Sequence, residues 1–160
     1  MRLSEMFFLC LIICNRSLTI ERRKMKALFV CYGNAYRSPL AEALLKKMRP
    51  DLKVDSAGLH VAIPVSEEIK EYLSKLSAVE YLKDFPESID DKDLRSYDVI
   101  ATMDQKVRNA VLRKCPDCEN KIVAWNIKDP YFEEQDVQRI YNEIESKVRE
   151  LAESLQLHES

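Results

Sequence analysis

The feature that most constrains this chain is an apolar run at residues 27–30, separated by eight residues from a helical pattern at residues 39–45. Four consecutive apolar residues predict a buried strand, and Pro39 in the first turn is typical of a helix start. The loop between them makes a direct strand-to-helix connection. Such a loop turns successive backbone N–H groups inward and forms a nest for an anion.

The loop also carries a thiol and a guanidinium, Cys31 and Arg37. The N–H dipoles and Arg37 would stabilise a thiolate, and the guanidinium can bind two oxygens of a tetrahedral anion. Gly33 permits close approach of the backbone to a ligand, and Asn34 tolerates a left-handed conformation. Ser38 is placed to cap the helix and to donate a hydrogen bond to the thiolate. The pattern favours a nucleophilic cysteine at an oxyanion site over a buried, inert cysteine that ends a strand.

The remaining apolar runs indicate the fold class. Strand-like runs at residues 27–30, 52–54, 99–101 and 122–125 alternate with helical patterns. This alternation predicts an α/β fold, a single domain in three layers, α/β/α, with a four-stranded parallel sheet. Ligands bind at the carboxyl ends of strands in such sheets, so we expect a phosphate-binding loop after strand 1. A chain of 160 residues is long enough for one sizeable core.

Three further helices are predicted from residue spacing. Residues 66–76 are mostly polar, so we expect a solvated face there. Asp104 is suited to cap a helix that contains Val107 and Val111. In the last helix an apolar stripe recurs with a period close to 3.6 and is expected to pack on the sheet: Val137, Ile140, Tyr141, Ile144, Val148, Leu151 and Leu155.

The first 24 residues do not fit this plan. Their apolar run at residues 7–14 is too short to span a bilayer, which takes about 20 residues. It resembles the hydrophobic part of a signal peptide, but no small-residue cleavage site follows it. We therefore expect residues 1–24 to be a leader outside the domain, from a misassigned start codon with Met25 as the true initiator, and residues 25–160 to be the domain.

Two of the five cysteines, Cys115 and Cys118, form a Cys-x-x-Cys pair whose role the sequence leaves open. We interpret the pair as a surface turn near the end of a helix, with a regulatory disulfide and half of a zinc site as alternatives. Zinc ranks lowest because there is no second pair and neither histidine has metal-ligand spacing. Because Cys31 must be free and no even disulfide framework is apparent, we expect a reducing compartment, the cytoplasm.

The strand-to-helix loop resembles that of the low-molecular-weight protein tyrosine phosphatases, whose pattern is Cys-x-Gly-Asn-x-x-Arg-Ser-Pro-x-Ala-Glu. Every fixed position is present: Cys31, Gly33, Asn34, Arg37, Ser38, Pro39, Ala41 and Glu42. The similarity extends to segments 55–58, 97–104 and 129–131 and covers roughly residues 25–155. The chain departs from the family at Tyr36, where many members carry a second cysteine. It departs again in segment 59–86, which lacks the usual glycine-containing connection.

The resemblance implies a cysteine-dependent phosphatase that hydrolyses phosphotyrosine in proteins, and aryl phosphates, through a phosphocysteine intermediate. Its catalytic residues would be the nucleophile Cys31, the phosphate-binding Arg37 and the general acid Asp129. Without the loop, Asp129 and Pro130 would be typical of a simple turn before the last helix. The implied substrate-binding residues are Tyr32, Gly33, Asn34, Ala35, Tyr36, Ser38 and Tyr131, and Ser56 would support the loop. No metal and no other cofactor is implied.

Three alternative functions remain open at this point. A thioredoxin-coupled arsenate reductase shares the loop but needs two further cysteines near it, and Cys115 and Cys118 fall later in the sequence. Some relatives are phosphoarginine phosphatases, which carry threonine at the position of Ala35. A non-catalytic module that binds phosphoproteins would not need an intact catalytic set.

The expected partners are phosphotyrosine-containing protein substrates, and the expected state is a monomer. The formal net charge of −2 gives no reason to expect nucleic acid or an anionic membrane as a partner.

Overall fold

The structure of this chain is a computed structural model that describes residues 22–132 and 136–157. The leader expected at residues 1–24 lies outside the described residues except for its last three. Within the described part of the chain, no helix combines the length and apolar character that crossing a membrane requires.

Among the described residues, four strands form one parallel sheet in the order β2-β1-β3-β4. The strands are β1 (Lys26–Cys31), β2 (Lys53–Gly58), β3 (Val99–Thr102) and β4 (Ile122–Ala124). The chain adds β2 on one side of β1 and β3 on the other, so the direction of strand addition reverses at β1. A crevice for a ligand is therefore expected at the carboxyl end of β1, as the sequence predicted.

Helices cover both faces of the sheet. In the described residues the α-helices are α1 (Arg37–Met48), α2 (Glu67–Lys75), α3 (Gln105–Lys114) and α4 (Val137–Leu157). Short 3-10 turns fill the connections at Val79–Tyr81, Ile89–Asp91, Leu94–Ser96 and Pro116–Lys121.

Alternation along the central strand divides the hydrophobic core in two. Ala27 and Phe29 face the core that includes α1 and α4, whereas Leu28 and Val30 face the core that includes α3. Both cores are fully shielded at β1, where residues 28–30 have no measurable exposure. The predicted three-layer α/β/α architecture is confirmed.

The predicted helices are present, with small differences in packing. The apolar stripe of α4 is buried as expected from Ile140 to Leu155, but its main neighbour is α1 rather than the sheet. Asp104 caps α3 by accepting a hydrogen bond from the Val107 N–H at 2.9 Å. In α2, Ile69, Tyr72 and Leu73 are buried and most other residues face solvent.

Strand β2 extends well past the predicted run at residues 52–54. It continues through Asp55 and Ser56, which a hydrophobicity pattern excludes. These polar residues are accommodated because partners from other segments bind their side chains: Lys92 with Asp55, and Asn34 with Ser56.

The interpretation of Cys115 and Cys118 as a surface turn is wrong. Both residues are buried, at 1% and 0% exposure, and they form a disulfide. Cys115 ends α3 and Cys118 lies in the 3-10 turn that follows, so the tight turn brings the two sulfurs together. Both side chains pack in the core beneath α3.

Candidate active site

The loop between β1 and α1 contains one residue in the left-handed region. Asn34 has φ 53°, as the sequence predicted, and its backbone N–H donates to the Cys31 sulfur at 3.2 Å. Gly33 does not have a positive φ, and a Cβ there would meet only the His60 carbonyl oxygen, at 3.8 Å. Asn34, rather than Gly33, therefore makes the sharp change of direction that turns the loop toward the sulfur.

The Ser38 side chain contacts the Cys31 sulfur and does not cap the helix. Its Oγ lies 2.9 Å from the Cys31 Sγ and accepts a hydrogen bond from Asn34 Nδ2 at 2.8 Å. The N-cap of α1 is Tyr36, which makes no side-chain capping bond. The predicted capping role of Ser38 is wrong because Ser38 is already the second residue of the helix and its side chain points into the loop.

Arg37 is the first residue of α1 and is almost completely buried, at 2% exposure. Its Nη2 donates to Asp129 Oδ2 at 2.8 Å, and its Nη1 donates to Asp104 Oδ2 at 3.0 Å and to the Ile127 carbonyl at 2.9 Å. Two carboxylates and a carbonyl thus fix the orientation of the guanidinium. The same contacts bring Asp129 to the edge of the loop, nearly a hundred residues away in the sequence.

A cavity of about 180 Å³ opens above the loop. The Cys31 sulfur, Arg37 and Asp129 contribute to its lining, and its walls are largely apolar: Tyr32, Ala35, Tyr36, Ala62, Ile63, Tyr131 and Phe132. His60 also lines it and stacks on Tyr32 at 5.8 Å between ring centroids. The cavity combines a sulfur, a cation and a carboxyl group at a site with aromatic walls.

The structure divides the residues predicted to bind substrate into two groups. Tyr32, Gly33, Ala35, Tyr36 and Tyr131 line the cavity, whereas Asn34 and Ser38 do not. Neither Asn34, in the loop, nor Ser38, at the start of α1, has measurable exposure. The Asn34 N–H and the Ser38 hydroxyl instead contact the Cys31 sulfur, and the two side chains bond to each other. Ser56, expected as loop support, accepts a hydrogen bond from Asn34 Nδ2 at 2.9 Å.

A buried ionic network beneath the loop was missed in the sequence. Glu42 of α1 is 2% exposed and accepts a hydrogen bond from the Ser56 hydroxyl at 2.5 Å. The Nζ atoms of Lys46 and Lys83 lie 2.5 and 3.4 Å from the Glu42 carboxylate. Two cations therefore balance a carboxylate that could not remain charged alone at such burial.

Lys83 connects this network to the loop itself. Its side chain is 8% exposed, and Nζ donates to the Ser56 carbonyl at 2.8 Å and to Asn34 Oδ1 at 3.4 Å. Glu87 binds the same lysine at 2.5 Å and donates its backbone N–H to Asn34 Oδ1 at 2.8 Å. This role could not be predicted from the sequence, because a lysine in an irregular segment usually indicates a solvated surface.

A second lysine, Lys92, extends the network outward. It donates to Asp55 Oδ2 at 2.6 Å and to Glu87 Oε1 at 2.9 Å. Burial alone would raise the pKa of Asp55, but the hydrogen bond and charge of Lys92 outweigh it and lower that pKa below its ordinary value. For Glu87 too, burial acts to raise the pKa, and the bonds from Lys83 and Lys92 lower it overall.

Gly58, at the end of β2, is the glycine that the loop requires. A Cβ at this position would lie 2.8 Å from both the Asn34 nitrogen and the Gly33 carbonyl carbon. Any side chain there would displace the loop from the sulfur.

The disulfide lies away from this site. Asp104 contacts Arg37 at the start of α3, and Cys115 follows the other end of that ten-residue helix. The helix is about 15 Å long. Among the described cysteines, Cys31 is the free one.

A free cysteine and a fixed arginine in a loop after the central strand of a parallel sheet form the arrangement of a cysteine-based phosphatase. The family model described as low molecular weight phosphotyrosine protein phosphatase matches residues 26–160. The chain belongs to this family.

Individual relatives agree with this assignment. The low molecular weight protein-tyrosine-phosphatase Wzb of Salmonella typhi is 30% identical over 139 residues, which are 81% of this chain and 93% of that protein. Two solved structures share the fold. Vibrio vulnificus Wzb in complex with benzylphosphonate has a TM-score of 0.73 at 23% identity and covers 82% of this chain and 99% of its own. A YwlE mutant from Bacillus subtilis has a TM-score of 0.72 at 24% identity, with 83% and 99% covered.

Proposed function

We propose that this protein hydrolyses phosphotyrosine in protein substrates, and aryl phosphates generally, through a phosphocysteine intermediate. The observation that carries the proposal is the convergence of Cys31, Arg37 and Asp129 on one cavity with aromatic walls. A phosphoryl group at the floor of the cavity would meet the sulfur, and its aryl ring would lie between the apolar walls.

In the first step the Cys31 thiolate attacks phosphorus, a sulfur–phosphorus bond forms and the bond to the phenolic oxygen breaks. The Asn34 N–H and the Ser38 hydroxyl stabilise the sulfur anion before attack. Arg37 binds the phosphoryl oxygens and balances their charge in the transition state. Asp129, in its protonated form, gives its proton to the departing phenolate.

In the second step Asp129, now a carboxylate, takes a proton from water. The resulting hydroxide attacks phosphorus, the sulfur–phosphorus bond breaks, and inorganic phosphate and the Cys31 thiolate are released. A hydrogen bond from Ser38 makes the sulfur a better leaving group, because it stabilises the anion that forms.

The walls of the cavity favour an aryl ester over an N-phosphorylated guanidinium. A structure of YwlE is described as that of an arginine phosphatase. A guanidinium leaving group carries charge and several N–H donors, which call for acidic or polar acceptors. The described lining instead offers Tyr32, Ile63, Tyr131 and Phe132, with Asp129 as its carboxyl group.

We also propose that the protein acts as a monomer in the cytoplasm. A reducing compartment keeps the Cys31 thiolate reduced, and there Cys115 and Cys118 would be thiols in place of the disulfide.

The test compares wild-type protein with Cys31→Ser and Asp129→Ala, with EDTA present, on phosphotyrosine peptides and on aryl phosphates of graded leaving-group pKa. Cys31→Ser is expected to show no turnover. Asp129→Ala is expected to lose on the order of 10²–10⁴-fold in kcat with a phosphotyrosine peptide, and less with good leaving groups that need no proton.

Asp117→Asn is the matched control for the acid, because Asp117 is exposed and does not line the cavity. It should retain wild-type rates. An equal loss for all leaving groups in Asp129→Ala would contradict the acid role. A higher rate with phosphoarginine than with phosphotyrosine would overturn the substrate assignment, while turnover by Cys31→Ser would overturn the mechanism.

A further inference from the structure

A second cavity, of about 700 Å³, adjoins the first across a shared wall. Tyr32, Arg37, Asp129 and Phe132 line both cavities. We propose that this second cavity, here called the basic subsite, binds another anionic group of the same phosphorylated peptide, a carboxylate or a second phosphate close to the phosphotyrosine. The inference rests on the proposed function and adds a substrate preference to it.

The basic subsite is lined by cations from α3 and from the segment after β4: Lys106, Arg113 and Lys128. Among the described residues of its lining, the carboxylates are Asp104 and Asp129, and both are already bonded to Arg37. Neither of them pairs with Lys106 or Arg113, so the charges of these two side chains are not balanced by the described lining.

Two of the three cations are also available to a ligand. Lys106 and Arg113 are exposed, and within residues 22–132 and 136–157 their side chains form no ion pair or hydrogen bond. The subsite lies against the first turn of α3, which carries Lys106. The combined field attracts an anion and would repel a lysine or arginine of the substrate.

The placement of the subsite matches the geometry of a bound peptide. With its phosphotyrosine in the first cavity, the peptide backbone would pass over the shared wall at Tyr32 and Phe132. An extended chain advances about 3.3 Å per residue, so side chains within about three residues of the phosphotyrosine reach roughly 10 Å to either side. An acidic residue or a second phosphotyrosine within that distance can enter the basic subsite.

The experiment measures kcat/KM for four phosphotyrosine peptides that differ only at the two positions on each side of the phosphotyrosine. In three of the peptides these positions all carry aspartate, all asparagine or all lysine. In the fourth peptide one position carries a second phosphotyrosine and the others carry asparagine. The enzymes are wild type, the double variant Lys106→Glu/Arg113→Glu, and the control Lys24→Glu/Lys53→Glu. The control residues are exposed near the amino ends of the strands, and their reversal changes the net charge by the same amount.

Wild type and the control are expected to prefer the aspartate peptide over the asparagine peptide by about five- to tenfold at low salt, with the preference declining as salt rises. The double variant is expected to lose or reverse this preference. All three enzymes should hydrolyse p-nitrophenyl phosphate within about twofold of one another, since that substrate does not reach the subsite. A larger gain with the doubly phosphorylated peptide than with aspartate would identify phosphate as the preferred group.

Equal rates for the aspartate and asparagine peptides in wild type, without a gain for the doubly phosphorylated peptide, would overturn the inference. So would a preference that survives in the double variant. These failures differ from failure of the proposed function, in which wild type would not hydrolyse p-nitrophenyl phosphate at all.

Discussion

Asn34 links the shape of the loop to its chemistry. Its positive φ directs its own N–H to the Cys31 sulfur, while its side chain donates to Ser38 and Ser56 and accepts from Lys83 and Glu87. The conformation could be predicted from the sequence, because asparagine is among the few residues that adopt it. The partners on its Oδ1 could not be predicted, since they lie about fifty residues away in an irregular segment.

Replacing Lys83 is expected to reduce activity as well as stability. Lys83→Met keeps an unbranched apolar stem but removes the donor to Asn34 and one cation beside the buried Glu42. We expect the free energy of unfolding to fall by about 3–5 kcal/mol, as when one partner of a buried ion pair is lost. We also expect kcat per folded molecule to fall about tenfold. Chemical denaturation and p-nitrophenyl phosphate kinetics measure the two effects.

Lys92→Met is the matched control. Lys92 is about as buried as Lys83, at 9% against 8% side-chain exposure, but it binds Asp55 and Glu87 and does not contact the loop. It should lower stability while leaving kcat per folded molecule close to that of wild type. An equal loss of kcat in both variants would mean that Lys83 has no separate positioning role.

We expect Tyr36 to affect how Cys31 responds to oxidation. Tyr36 lines the same cavity as Cys31, at the position where many relatives carry a second cysteine. Among the described cysteines none lies beside Cys31 to resolve a sulfenic acid, because Cys115 and Cys118 lie past the far end of α3 in the other half of the core. We therefore expect prolonged peroxide to inactivate the enzyme in a way that dithiothreitol does not reverse.

The variant Tyr36→Cys should gain protection, with most of its activity restored by dithiothreitol after the same treatment. Tyr36→Phe is the control and should behave like wild type. Rapid recovery of wild-type activity would show that a more distant cysteine acts as the resolving thiol.

At the scale of elements, the end of β2 sets the position of the loop after β1. Gly58→Ala would place a methyl group against loop backbone, which cannot move aside as a flexible side chain can. We expect a loss of about 1–3 kcal/mol in the free energy of unfolding, typical of overpacking, and a clear loss of activity.

Gly33→Ala is the comparison, because a Cβ at Gly33 meets its nearest neighbour at an ordinary contact distance. Its free energy of unfolding should change by less than about 0.5 kcal/mol. Similar losses of stability in the two variants, measured by urea unfolding, would contradict this account of Gly58.

The elements also show where sequence patterns fail. β1 was predicted from its unbroken apolar run and α4 from its period close to 3.6 residues, and the cap of α3 was predicted from Asp104 alone. The end of β2 was not predicted, because Asp55 and Ser56 break the apolar pattern and depend on partners elsewhere in the chain. Burial of Cys115 and Cys118 was missed for a similar reason, since a Cys-Pro-Asp-Cys turn has the composition of a surface segment.

For the whole molecule, the Asp55–Lys92 contact makes part of the stability dependent on pH. The pKa of Asp55 in the folded protein lies below its ordinary value of 3.8, so its ionised form favours folding. This contribution is fully present above the unfolded-state pKa, near pH 4, and is lost as the pH falls through the folded-state pKa. The difference in unfolding free energy between wild type and Asp55→Asn should therefore be largest near pH 7 and shrink below about pH 4.

Thermal or urea unfolding at pH 7, 5, 4 and 3 measures this difference. Asp117→Asn serves again as the control, because Asp117 is exposed and its loss should change stability little at any of these pH values. A difference for Asp55→Asn that stays constant from pH 7 to pH 3 would show that the Asp55 carboxylate contributes nothing through its charge.

The general architecture, and the placement of Cys31 and Arg37 in one loop after β1, were thus accessible from the sequence, because they depend on local patterns and on one compact motif. The contacts that hold the loop in place could not be predicted from the sequence. Lys83 and Glu87 lie in a segment held by short 3-10 turns, where no periodicity reveals which side chains are buried. Their importance comes from contacts that only the folded chain creates.

The three partners of Arg37 come from two connections at the carboxyl end of the sheet: Asp104 follows β3, and Ile127 and Asp129 follow β4. Local unfolding of either connection would release the Arg37 guanidinium before the rest of the molecule unfolds. Turnover should therefore decline at denaturant concentrations where circular dichroism is still unchanged, and amide hydrogen exchange should accelerate first in the segments after β3 and β4. Loss of turnover would then report local unfolding at that end of the sheet before the whole molecule unfolds.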